Sequence, residues 1–71
     1  MLKITDTIYL IPGKRKGNFP YCNCLYIKDD VCGLIDSAAG KDNLQPVLGR
    51  VEVLINSHFH PDHVRGNGLF P

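Results

Sequence analysis

The chain has almost no excess of either charge. Eight Lys and Arg stand against seven Asp and Glu, a net charge of +1. That balance excludes a strongly basic nucleic-acid or membrane-surface module. Long apolar runs are missing too. No stretch approaches the roughly 18 residues that a membrane span needs. Lys3 and Asp6 also interrupt the N-terminus, where a signal peptide carries about 7–15 uncharged apolar residues. These absences predict a cytoplasmic protein without a membrane partner. Cysteine is scarce and odd in number: the three present cannot complete a disulfide framework. There is no internal repeat and no low-complexity tract. Length is short as well. A chain of 71 residues holds one small domain at most, and below roughly 70–80 residues a domain leans on a metal, disulfides or a partner. The hydrophobic content of 44% is nevertheless that of a globular protein.

Periodicity predicts mainly one β-sheet with a short crossover helix, in the α/β (α+β) class. A first strand is expected over 3–11, with Ile4, Ile8 and Leu10 on one face; Asp6 interrupts that face, and Pro12-Gly13 stops the strand. Residues 24–28 and 31–36 read as two strands joined at a two-residue Asp29-Asp30 turn. Over 37–50 the pattern predicts a short helix capped by Asp42 or Asn43. Leu44, Val47 and Leu48 share its face, Pro46 is tolerable in the first turn, and Gly49 suits the end. Residues 51–57 form a β-branched strand. Strand, 14-residue connection and strand are long enough for a parallel βαβ unit. Reactive groups in such units gather beyond the carboxyl ends of the strands.

Two features allow two readings each. Cys22 and Cys24 form a Cys-x-Cys pair, either thiolate ligands or small apolar residues in or beside strands. The second fits better, because thiolate zinc sites space cysteines two to four apart and use two pairs. Lys14-Arg15-Lys16 either attracts an anionic substrate or forms a solvated loop, and the solvated loop is the commoner outcome.

All three histidines fall within six residues, His58-Phe59-His60-Pro61-Asp62-His63. From this chain's own use of His and Asp, a chance match to H-x-H-x-D-H is expected about 4 × 10⁻⁴ times. His58 and His60, two apart on an extended segment, face the same side. Pro61 keeps His60 extended and suits the first position of a helix, which places Asp62 and His63 on its first turn. Imidazole and carboxylate suit zinc, and iron or manganese equally. Asn56 and Ser57 are placed to hydrogen-bond the outer edges of ligand imidazoles, or simply to be solvated at the strand end.

At this motif the chain resembles the metallo-β-lactamase-fold hydrolase superfamily, whose H-x-H-x-D-H signature is matched at every defined position. Asn23-Cys24-Leu25-Tyr26-Ile27 and Leu34-Ile35-Asp36-Ser37-Ala38 are similar to the family's second strand and to its third strand ending in an aspartate. The resemblance implies an αββα sandwich of two similar halves with one or two metals, usually zinc. It implies His58 and His60 as ligands of the first metal, and Asp62 and His63 as ligands of the second. Metals about 3.5–4 Å apart can share a hydroxide that attacks an ester, amide, thioester or phosphoester bond of a small-molecule substrate. Asp62 would also handle the proton of that water, and Asp36 would be structural.

The chain departs from the family pattern in two places. Arg65 precedes Gly66-Asn67-Gly68 where the family often has a glycine pair. The eight residues after His63 include no His, Asp, Glu or Cys, although the family draws further ligands from later in its chains. Residues 1–71 are therefore expected to be the N-terminal portion of such a domain, ending just after the motif and inactive alone. The alternatives are a small non-catalytic metal-binding module, or a half-domain completed by self-association or by a separate C-terminal half.

Overall fold

The computed structural model describes residues 1–57, 64 and 66–70. Five strands form one sheet in the order of the sequence: β1 (Leu2–Lys3), β2 (Ile8–Ile11), β3 (Cys24–Ile27), β4 (Gly33–Ile35) and β5 (Val53–Ile55). The pairings are antiparallel from β1 to β4, and β5 joins β4 in parallel. A single turn of helix, α1 (Lys41–Leu44), lies in the crossover between β4 and β5. The fold is a small mixed α+β domain. Among the described residues, no helix is long and apolar enough to cross a membrane.

The strand expected over 3–11 is instead a hairpin. The Thr5 hydroxyl accepts from the N–H groups of Thr7 and Ile8, at 3.3 and 3.1 Å. This side-chain turn folds the backbone at Asp6 and pairs Leu2 with Leu10. The expected β3–β4 hairpin is present, but its connection is longer than two residues. Pairing stops at Ile27 and Gly33 because Cys32 is tied elsewhere. Its N–H donates to Glu52 Oε1 at 3.1 Å, and its carbonyl accepts from Glu52 and Val53.

The parallel strand–crossover–strand unit is as expected. Gly40, with φ of 101°, begins α1 without any side-chain cap, so neither Asp42 nor Asn43 caps it. Asn43 instead sends its amide to the carbonyls of Pro12 and Ala39, at 2.9 and 3.3 Å, and pins the helix to the end of β2. Pro46 falls in the first turn of a 3₁₀ segment, Gln45–Val47. Leu44 and Val47 are fully buried there.

Alternation along the strands sorts the sheet into two apolar faces. One face carries Ile11, Cys24, Tyr26 and Leu34, and packs against Ala38, Ala39, Leu44 and Val47 to form the core. The register places Leu2, Ile8, Leu10, Leu25, Ile27, Ile35, Val53 and Ile55 on the other face. No described element covers that second face. Leu2, Val53 and Ile55 are exposed and the remaining five side chains are half-buried.

Candidate metal centre

His58, His60, Asp62 and His63, with Phe59, Pro61 and Arg65, lie outside the described residues. The residues that hold the two ends of this segment are described, and they meet at one corner. β4 is followed by Asp36, which adopts a left-handed φ of 65°. Asp and Asn tolerate that conformation better than other side chains, because a short polar group can bond locally. The Asp36 N–H donates to the Ile55 carbonyl at 2.7 Å, which extends the parallel ladder by one bond. Its buried carboxylate turns to β5: Oδ1 accepts the Ser57 N–H at 2.7 Å and Oδ2 accepts the Ser57 hydroxyl at 2.8 Å. Ser57 immediately precedes His58 in the sequence, so Asp36 fixes the last described residue before the motif.

Ser37 holds the other end. Its fully buried hydroxyl donates to Asn67 Oδ1 at 2.6 Å. Asn67 and Asn56 exchange amide hydrogen bonds: Asn67 Nδ2 donates to Asn56 Oδ1 at 2.9 Å, and Asn56 Nδ2 to Asn67 Oδ1 at 3.2 Å. Gly66 presses against the same corner, where a Cβ would come 1.8 Å from the Ser37 carbonyl oxygen. Its φ of −93° is ordinary, so close approach rather than dihedral freedom requires glycine. Asn56 and Ser57 before the motif, and Gly66 and Asn67 after it, therefore meet just beyond the carboxyl end of β4, where a βαβ unit places its reactive groups.

Asn56 and Ser57 thus bond to Asn67 and Asp36. The expected contacts of Asn56 and Ser57 with imidazole edges involve residues outside the described ones. Sequence reasoning missed Ser37, Gly66 and Asn67. The available signal was the Gly66-Asn67 pair shortly after the motif, which had drawn notice only as a variant of a glycine pair.

The other candidate ligands go to the core. Cys22 and Cys24 are buried thiols outside any disulfide. Burial, reinforced by the adjoining Cys22, pushes Cys24 up to about 12, so at neutral pH it stays protonated, and a metal binds the thiolate. Among the described residues, no three His, Cys, Asp or Glu side chains cluster as a metal site. The basic triplet begins a tight turn, Lys14–Gly17. Arg15 and Lys16 are exposed at φ of 54° and 57°.

The donor chemistry of the motif, three imidazoles and a carboxylate, fits zinc, and the corner gives the segment carrying it two fixed ends. Comparison with known proteins returns no matching family model, no matching curated protein and no matching solved structure.

Proposed function

We propose that the chain is the metal-binding portion of a metal-dependent hydrolase of the metallo-β-lactamase type. The observation that supports this most is the pair of hydrogen bonds that Ser57 donates to Asp36. A buried carboxylate just past one strand fixes the residue that precedes the H-x-H-x-D-H segment in the sequence.

In this reading the resemblance gives His58 and His60 to one metal and Asp62 and His63 to a second, and these four side chains alone supply a single site of His58, His60 and one of Asp62 or His63 with one position open. When bound, the metal supplies Lewis acidity and lowers the pKa of water toward neutrality. The chain's own residues do the rest. Asp36 and Ser57 aim the start of the ligand segment, and Asn56, Asn67 and Ser37 anchor its return. Asp62 accepts the proton of the attacking water. The resemblance assigns further ligands to a second half of the domain, so these 71 residues bind metal without turning over an ester, amide, thioester or phosphoester by themselves. Competition with a chromogenic chelator tests the ligand set. His58→Ala, His60→Ala and His63→Ala should each weaken zinc binding by roughly tenfold or more; unchanged affinity in all three removes the reading.

The uncovered sheet face favours a second, compatible reading. Eight aliphatic side chains share that face without a charged one among them. A continuous apolar face of this kind seats another apolar layer, as the second sheet of an αββα sandwich does. In a solution of this chain alone, the sheet available to fill that place is a second copy's. Concentration-dependent sedimentation of a dimer supports this reading, and a monomer at all concentrations contradicts it.

A further inference from the structure

Beside the Asp36–Ser37 corner lies a cleft of about 270 Å³. That is just under the roughly 300 Å³ at which small-molecule pockets begin. Two segments of chain form its walls. The loop after β2 is stitched to the segment after β4 by two backbone bonds, Lys14 N–H to the Ala39 carbonyl and Cys22 N–H to the Ala38 carbonyl, both 3.0 Å. Ser37 and Gly66 also line the cleft, and Gly66 is the third residue after His63 in the sequence.

The cleft carries two cations. Lys14 enters from one wall and Lys41 from the other. The stem of Lys14 occupies the space that a side chain at position 40 would fill: a Cβ on Gly40 would stand 2.9–3.0 Å from Lys14 Cγ, Cδ and Cε. Gly40 also has a φ of 101°, which disfavours any other residue. The Lys14 ammonium sits 5.9 Å from the centre of the Tyr21 ring, within cation–π range. Among the described residues, neither lysine forms an ion pair, and no carboxylate lines the cleft. Both lysines thus line one concave site without a described counter-charge. They are both satisfied when an anion enters, and a lysine ammonium with three rotatable donors is a common phosphate binder.

We propose that this cleft is an anion-binding subsite that holds the carboxylate or phosphate group of a small-molecule substrate between Lys14 and Lys41. The assignment to a substrate rests on the hydrolase reading; the binding of an anion does not. The subsite gives the first of the three basic residues at 14–16 a specific place and leaves Arg15 and Lys16 to solvent.

Amide chemical shifts of the full, chelator-treated chain, titrated with inorganic phosphate and in parallel with acetate, test it. Saturable shifts are expected at Gly40, Lys41 and Gly66 with at least one of the two anions, and the arm that saturates at lower concentration identifies the group. Lys14→Met, which keeps the stem and removes the charge, and Lys41→Met should each raise the half-saturating concentration by roughly fivefold. Lys28→Met, on the exposed β3–β4 connection, should leave it unchanged. Shifts that fail to saturate with either anion, or that weaken as much in Lys28→Met as in the cleft variants, overturn the subsite. Because metal is removed first, this outcome is independent of zinc binding. A chain that binds phosphate in the cleft but no zinc would keep the subsite and lose the hydrolase reading.

Discussion

Asp36 grips Ser57 with both carboxylate oxygens, one on the backbone N–H at 2.7 Å and one on the hydroxyl at 2.8 Å. The two residues lie just beyond the ends of the adjacent parallel strands β4 and β5. The pair therefore fixes the last described residue before the histidine segment.

Removing that grip should be costly. Asp36→Ala loses two hydrogen bonds to a charged acceptor and places alanine at a left-handed φ of 65°. A loss of about 2–4 kcal/mol in folding stability is expected. Asp36→Asn retains an acceptor for the Ser57 N–H and tolerates the same backbone conformation, so it should cost less than half as much. Urea denaturation of the two variants measures the difference, and equal losses would contradict the geometry.

Gly66 and Gly68 make a matched pair. A Cβ at Gly66 would meet the Ser37 carbonyl oxygen, whereas one at Gly68 would meet nothing within 4 Å. Gly66→Ala should destabilise the fold by about 2 kcal/mol or more and weaken zinc binding, because the return of the ligand segment must shift. Gly68→Ala should stay within about 0.5 kcal/mol of the parent. Thermal melts of both variants decide it.

The thiols should follow their surroundings. Cys24 is fully buried and pushed up to about 12, whereas Cys32 is half-buried. At about pH 8, a thiol reagent should label Cys32 first and reach Cys22 and Cys24 only on unfolding, with or without a chelator present. The raised value of Cys24 also has a sign for stability. Below its ordinary value of 9.0 the thiol is protonated whether the chain is folded or not, and its contribution is fully present. From pH 9.0 toward about 12 only the unfolded chain releases the proton, so stability falls as pH rises. A denaturation midpoint that rises over that range would contradict the burial of this side chain.

The second sheet face makes a prediction about association. Ile55 is 51% exposed and Val53 45%, on the face that the core does not use. Ile55→Lys should abolish dimerisation in sedimentation velocity without lowering monomer stability by more than about 0.5 kcal/mol. Dimerisation unchanged by this substitution would place the contact elsewhere.

Local chemistry explains which parts of this structure were legible in the sequence. The alternation of Cys24, Tyr26 and Leu34 with Leu25, Ile27 and Ile35 gave the strands. The β-branched run before Asn56, together with the connection length, gave the parallel crossover. The break in the first strand was hidden because a single hydroxyl, Thr5, outweighs the apolar pattern on either side of it. The start of α1 was hidden for a similar reason: Asn43 looks like a cap, but Pro12 and Ala39 lie close enough to take its amide. At the candidate centre, the ligand segment stood out by composition. Its anchors did not, because Ser37, Asn56 and Asn67 are ordinary polar residues until folding brings positions 30 and 11 residues apart into hydrogen-bonding distance.

Zinc content tests the central claim most directly. The full chain, loaded with zinc and dialysed against metal-free buffer, should retain close to one zinc per chain by elemental analysis, with His58, His60 and a neighbouring ligand leaving one position open. The double variant His58→Ala/His60→Ala, treated in the same way, should retain none. No zinc in the parent chain, or equal zinc in the parent and the double variant, would contradict the account.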